Sequence, residues 1–280
     1  MTLVSCSIPE QFVNPLFEVF DGGDFVLTSY RDIEERLTRM QLFFEDAGRV
    51  SEAQSRLKAA MDIVGISAPF ETKEIPDEDW KYSYRRHFKT ERISRRIIVR
   101  PPWEPEVSGE CVITLDPGLA FGTGKHETTR ACLEYIDELA GTGGGFLDMG
   151  CGSGILSIAA AKLGYGPVEG FDVDQEAVDA SIANAAANGV EVSYHRFALG
   201  RKAPAQGRYD LVAANILAPL LVRFADEIVQ YVSGRLIVSG ILDGLYPEVA
   251  AAYRERGFEE ISRRTIGEWT TGLLARKSLI

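Results

Sequence analysis

One stretch constrains this chain more than any other. Residues 146–156, FLDMGCGSGIL, form a short apolar run that ends in glycines at 150, 152 and 154 and passes directly into a second apolar run. A strand that stops at spaced glycines and is followed at once by a helical pattern is the start of a βα unit. Further apolar runs follow at 168–172, 192–197, 209–214 and 235–240, separated by helical patterns near 155–163, 175–188 and 217–231. Buried strands alternating with helices point to an α/β fold with a parallel, doubly wound sheet. Residues 258–266 and 269–275 break that rhythm, because only a turn separates them. They read as an antiparallel strand pair at the end of the sheet.

Glycines at such a turn let a ligand approach the backbone, and the helix start behind them favours anionic groups. A dinucleotide fingerprint would place its third glycine at position 155, which is Ile155, so a nicotinamide dehydrogenase is disfavoured. The form present, Asp148-x-Gly150-x-Gly152-x-Gly154, resembles that of class I S-adenosylmethionine methyltransferases, whose sheet is Rossmann-like. On that resemblance the three glycines contact the cofactor, and Asp148 orders the turn or a water near the methionine ammonium. At the end of the next strand Asp172 is placed to accept hydrogen bonds from both hydroxyls of an adenosine ribose. Asp174 reads as a helix cap, with Gln175 and Glu176 in the first turn and Asn188-Gly189 closing the helix. The blander alternative makes both aspartates caps.

Asn215 ends the 209–214 run, on the edge of the sheet where ligands of open α/β folds sit. Its carbonyl could orient an amine, or its side chain could simply cap the next helix. Asn215-Ile216-Leu217-Ala218 is not the Asn-Pro-Pro-Tyr form expected for methylation of nucleobases or glutamine amides.

Residues 115–124, LDPGLAFGTG, followed by His126 and Thr128-Thr129, resemble the signature loop of the PrmA family. These enzymes methylate the eleventh protein of the large ribosomal subunit. Residues 148–156, 215–218 and 239–242, and Glu268-Trp269 before Arg276-Lys277, are similar to the same family, and the likeness covers roughly residues 75–277. It implies cofactor contacts at Thr129, Gly150, Asp172 and Asn215, and a loop through Phe121, Gly122 and Thr123 that folds over the cofactor. His126 is a candidate base, with packing of that loop as its alternative role. Two positions depart from the family's Gly-Thr-Gly-Thr-His-Pro-Thr-Thr: Lys125 and Glu127.

The N-terminal region is sparser in signal. Extended patterns at 25–30 and 37–45, a helical pattern at 50–64 and a short run at 70–75 make a β-β-α-β piece. The family carries a complete ferredoxin-like unit here, whereas the first strand and helix of this chain read as eroded. The expected organisation is a small α+β substrate-recognition domain over 1–75, a linker over 76–105 and the cofactor-binding domain over 106–280. The linker holds a short helical pattern at 77–80 and positive charge at Arg85, Arg86, Lys89, Arg92, Arg95 and Arg96, which is either a solvated face or a docking surface.

The net charge of −11, from 41 acidic and 30 basic side chains, disfavours general nucleic-acid binding and suits a basic partner. Four scattered cysteines and three histidines give no local support for a metal site. No signal-peptide pattern or membrane-length apolar run occurs, so a cytoplasmic protein is expected. The expected activity is S-adenosylmethionine-dependent N-methylation of a lysine or N-terminal amine on a basic ribosomal protein. A small-molecule or other protein acceptor, and a non-catalytic cofactor-binding scaffold, are the rivals.

Overall fold

A computed structural model describes residues 2–20, 25–32, 37–44, 46–74, 88–115, 126–141, 143–201 and 207–277. The chain divides into two compact units, Met1–His87 and Phe88–Ile280.

In the first unit, β1 (Thr2–Pro9) and α1 (Val13–Val19) precede β2 (Val26–Asp32), β3 (Leu37–Phe44), α2 (Val50–Ile63) and β4 (Glu71–Glu74). The sheet order β2-β3-β1-β4, antiparallel at each pairing, is that of a complete βαββαβ ferredoxin-like unit. The eroded first strand and helix expected from the sequence are therefore present. In β1 the serines at 5 and 7 mask the alternation of Val4, Cys6 and Ile8, all buried. In α1 a seven-residue helix containing Pro15 buries Leu16 without a readable period. The core is closed by Ala53, Leu57, Ala60 and Met61 of α2 against Met40 and Leu42 of β3.

The second unit opens with β5 (Glu91–Arg92), β6 (Ile97–Arg100) and β7 (Cys111–Thr114), a three-stranded sheet. Residues 88–105, expected as linker, thus hold two of its strands. Then come α3 (Glu127–Leu139), β8 (Phe146–Met149), α4 (Ile155–Lys162), β9 (Val168–Asp172), α5 (Gln175–Ala187), β10 (Ser193–Arg196) and β11 (Tyr209–Asn215). They are followed by α6 (Ala218–Arg223), α7 (Ala225–Ile228), β12 (Val232–Leu242), α8 (Tyr246–Glu255), β13 (Phe258–Ile266) and β14 (Trp269–Arg276). The main sheet runs β10-β9-β8-β11-β12-β14-β13, parallel through β12, with β14 antiparallel between β12 and β13.

Alternation along the strands builds two cores. Leu211, Ala213 and Ile237 face Cys132 and Ile136 of α3 and Ile155 and Ile158 of α4, whereas Val212, Ala214, Leu236 and Val238 face Leu221, Ile228 and Val249 of α6, α7 and α8. The single helix read from the sequence over 217–231 is broken at Phe224 (φ −104°, ψ 15°), which closes α6 and opens α7. The helix α8 is not assigned by the sequence reading.

Candidate active site

In β10-β9-β8-β11 the strand order reverses between β8 and β11, and the crevice beyond their carboxyl ends is where ligands of such sheets bind. The predicted glycine turn sits there. Gly150 leaves β8 with φ +73°, and a Cβ on it would lie 2.6 Å from Cγ2 of Ile216, the residue after Asn215. Only glycine satisfies both the dihedral and the close approach. The Gly150 and Cys151 amides donate to the Phe171 carbonyl at 2.9 and 3.0 Å, locking the turn onto β9. Gly154 caps α4 in the left-handed region.

Asp172 ends β9 half-buried, and its carboxylate is held by two backbone amides: Gly152 donates to Oδ2 at 3.0 Å and Asp174 to Oδ1 at 3.1 Å. It is therefore fixed in place with acceptor capacity to spare. Asp174 caps α5, as expected, by accepting from the Glu176 amide at 3.0 Å.

Asp148 lies under the turn with no solvent exposure. Its Oδ2 accepts from the Ser157 amide (3.1 Å) and hydroxyl (2.6 Å), tying β8 to α4, while Oδ1 has no partner among the described residues. Burial pushes its carboxyl up to about 6, against the pull of the Ser157 hydrogen bonds. Thr129, in the first turn of α3, likewise has a buried hydroxyl with no partner among the described residues. That turn rests on the parallel strands: the Ser239 hydroxyl of β12 donates to the Thr128 carbonyl at 3.3 Å.

Asn215 stands at the end of β11, paired in register with Ser239. No hydrogen bond engages its side chain among the described residues. Leu217, and not Asn215, occupies the position that caps α6. His126 caps α3: its Nδ1 accepts from the Thr128 amide at 3.4 Å, and its ring packs 5.0 Å from Trp269. Phe121, Gly122 and Thr123, together with Lys125 and the 77–80 segment, lie outside the described residues.

The apolar half of the site carries no motif in the sequence. Beside Asp172 is a cavity of about 220 Å³ lined by Met149, Gly150, Phe171, Val173, Phe197, Ala198, Leu199, Ile216, Leu220 and Phe224. Its size and lining suit a flat, apolar ring system whose polar partner is the carboxylate at the rim. The structure supplies what the residue pattern does not. Val173 is an apolar residue left 64 % exposed directly after Asp172, and residues 197–199 follow β10, a third parallel strand, at the same end of the sheet.

The residues present thus fit an adenosyl cofactor: a glycine cradle that a Cβ would fill, an aligned carboxylate, an apolar cavity and buried oxygens with unused hydrogen-bonding capacity. Sheet order, glycine turn and cavity define a class I S-adenosylmethionine-dependent methyltransferase with S-adenosylmethionine as its cofactor. The family profile described as ribosomal protein L11 methyltransferase (PrmA) matches residues 20–277, and the chain belongs to that family. It is 43% identical over 231 residues to the ribosomal protein L11 methyltransferase of Geobacter sulfurreducens, covering 80% of this chain and 76% of that one. It is 39% identical over 211 residues to the protein of that name from Caldanaerobacter subterraneus, covering 74% and 68%. A crystal structure of a ribosomal protein L11 methylase from Lactobacillus delbrueckii superposes with a TM-score of 0.62 at 32% identity, over 68% of this chain and all of that one. Among the described residues no helix is long and apolar enough to cross a membrane.

Proposed function

We propose that this enzyme methylates amine nitrogens, lysine ε-amines or an N-terminal amine, of a basic ribosomal protein of the L11 type, in the cytoplasm and without general nucleic-acid binding. The observation that carries the reading is the meeting of the glycine turn, Asp172 and Asn215 at the carboxyl ends of β8, β9 and β11, with the Asn215 amide unclaimed by any described protein group. In this reading the cavity takes the adenine and Asp172 takes the ribose hydroxyls. Gly150, Gly152, Gly154, Asp148 and Thr129 hold the methionine end, and Phe121, Gly122 and Thr123 belong to the segment that covers it. Asn215 accepts from the acceptor nitrogen and aims its lone pair, and the ferredoxin-like unit presents the protein.

The bound cofactor supplies a methyl group already activated on a sulfonium. What remains for the protein is alignment and a neutral nucleophile. A lysine amine titrates near ~10.4 and an α-amine near ~7.7–8.0, and desolvation in the crevice favours the neutral form of either. The amine lone pair forms the new N–C bond, the S–C bond breaks to leave a neutral thioether, and the proton leaves the nitrogen to water. His126 accepts at Nδ1 as a helix cap, which puts the proton of its neutral ring on Nε2 and makes that nitrogen a donor rather than a base.

Radiolabelled methyl transfer into purified L11-type protein, with mapping of the product by mass spectrometry, tests the reading. Label on lysine or N-terminal amines supports it, and label appearing only in other proteins or in small molecules rejects it. Asp172→Ala is expected to weaken S-adenosylhomocysteine binding at least tenfold by calorimetry. Wild-type affinity in that variant would remove Asp172 from the site.

A further inference from the structure

The cavity wall formed by Ala198 and Leu199 belongs to a turn that leaves β10, and this turn is tied down at both ends. At its start the Phe197 amide donates to the Asp172 carbonyl at 2.8 Å, so one end is fixed to the strand that carries the rim carboxylate. At its finish the Gly200 amide donates to Oε2 of Glu227 at 2.6 Å, a short, charge-assisted bond reaching from α7. Gly200 holds φ +87°, and a Cβ there would meet the Phe224 ring at 3.0 Å. The turn is therefore pressed directly onto the α6–α7 junction.

That junction is the break at Phe224. Leu220, Phe224 and Glu227 are spaced i, i+4 and i+7 and so share one face across the junction, with Leu220 and Phe224 lining the cavity and Glu227 reaching Gly200. Nothing in the glycine turn needs this arrangement. The cavity wall does, because the Gly200–Glu227 bond is the side-chain hydrogen bond that fixes the far end of the turn carrying Ala198 and Leu199.

We propose that Glu227 is a positioning residue for the nucleoside half of the cofactor: its carboxylate holds the 197–200 turn in the conformation that forms the pocket wall. This rests on the reading of the cavity as the adenine site. Glu227 touches neither the cofactor nor the reacting atoms and acts through Gly200. Without it the far end of the turn loses its anchor, the wall samples other positions, and nucleoside binding weakens while alignment at Asn215 is untouched.

The test titrates wild type, Glu227→Gln, Glu227→Ala and Asp172→Ala with S-adenosylhomocysteine and with 5′-methylthioadenosine, which shares only the nucleoside half. Loss of one charge-assisted hydrogen bond should weaken both ligands about tenfold in Glu227→Ala, by the same factor for each. Glu227→Gln, which keeps an acceptor oxygen, should recover most of the affinity. Turnover should show a raised KM for the cofactor with kcat and the KM for the protein acceptor unchanged, a split that general destabilisation would not produce. Wild-type affinity for both ligands in Glu227→Ala, or a lowered Tm with no change in affinity, would overturn the proposal. If Glu227→Ala does not fold, Glu227→Asp, one methylene short of Gly200, must show the same nucleoside-specific loss. If Asp172→Ala abolishes binding while the Glu227 variants bind normally, the pocket reading stands and the role of Glu227 falls. If Asp172→Ala also binds normally, the pocket reading itself is at fault.

Discussion

At the scale of single residues, Asp148 and Gly150 carry opposite kinds of constraint. Asp148 is a buried acid whose carboxyl titrates near 6, above its ordinary value, so the folded chain holds a proton that the unfolded chain has already released. Stability from this group is therefore fully present below about pH 4 and is lost as pH rises to 6, a difference of about 3 kcal/mol for a shift of about two pH units. Asp148→Asn keeps an oxygen for Ser157 and removes the charge. Denaturant unfolding should find it more stable than wild type at pH 7.5, with the gap closing towards pH 4. Its affinity for the cofactor should fall, because a chain that keeps an unpaired buried carboxylate beside a cation-binding crevice gives up stability to keep it. Gly150 is constrained by shape. In Gly150→Ala the new methyl collides with Ile216 and the dihedral is strained, so S-adenosylhomocysteine affinity should drop by more than tenfold, and Ile216→Ala should recover only the part due to the collision. Equal affinity of Gly150→Ala and wild type would show that the turn does not approach a ligand.

At the scale of elements, one buried acid joins three groups at the seam between the three-stranded sheet and α3, beside the Arg130–Glu91 pair and the shared apolar core. Asp137 of α3 accepts from the Ser94 hydroxyl at 2.6 Å, from the Arg96 amide at 3.1 Å and from the Arg96 guanidinium. Burial pushes its carboxyl up, but the hydrogen bonds from Ser94 and Arg96 outweigh this and hold it below the usual range. Arg96→Met leaves that carboxylate without its cation and should cost about 3 kcal/mol in denaturant unfolding near neutral pH, with the deficit shrinking as Asp137 protonates in acid. A loss under 0.5 kcal/mol would mean that the pair is dispensable. The elements also show what a sequence discloses. The parallel strands, the glycine turn, Asp172 and the terminal strand pair were legible because each announces itself over a few adjacent residues. β1 and α1 were hidden by serines and a proline inside short elements. In α8 the spacing of Tyr246, Val249, Ala250 and Tyr253 is helical and could have been read, although Pro247 and the flanking charges obscure where the element begins. The break at Phe224 was not legible, since neither glycine nor proline marks it. The cavity wall was missed for the related reason that Phe197, Ala198 and Leu199 look like ordinary core until the strand ends are aligned in space.

At the scale of the whole molecule, the proposed basic acceptor makes the excess of eleven negative charges matter for recognition. A basic protein approaching this surface is drawn in by a long-range field that salt screens over about 8–10 Å. The KM for an L11-type acceptor should therefore rise several-fold between 50 and 300 mM salt while S-adenosylhomocysteine affinity changes less than twofold. A flat acceptor KM would leave the charge without a role in recognition. The sheet order has another consequence. β14 follows β13 in the chain but lies inside it, between β13 and β12. During synthesis β13 therefore precedes the strand it pairs with among the described residues, and it reaches the sheet only through β14. β14 is thus the keystone of this edge: without it the sheet stops at β12.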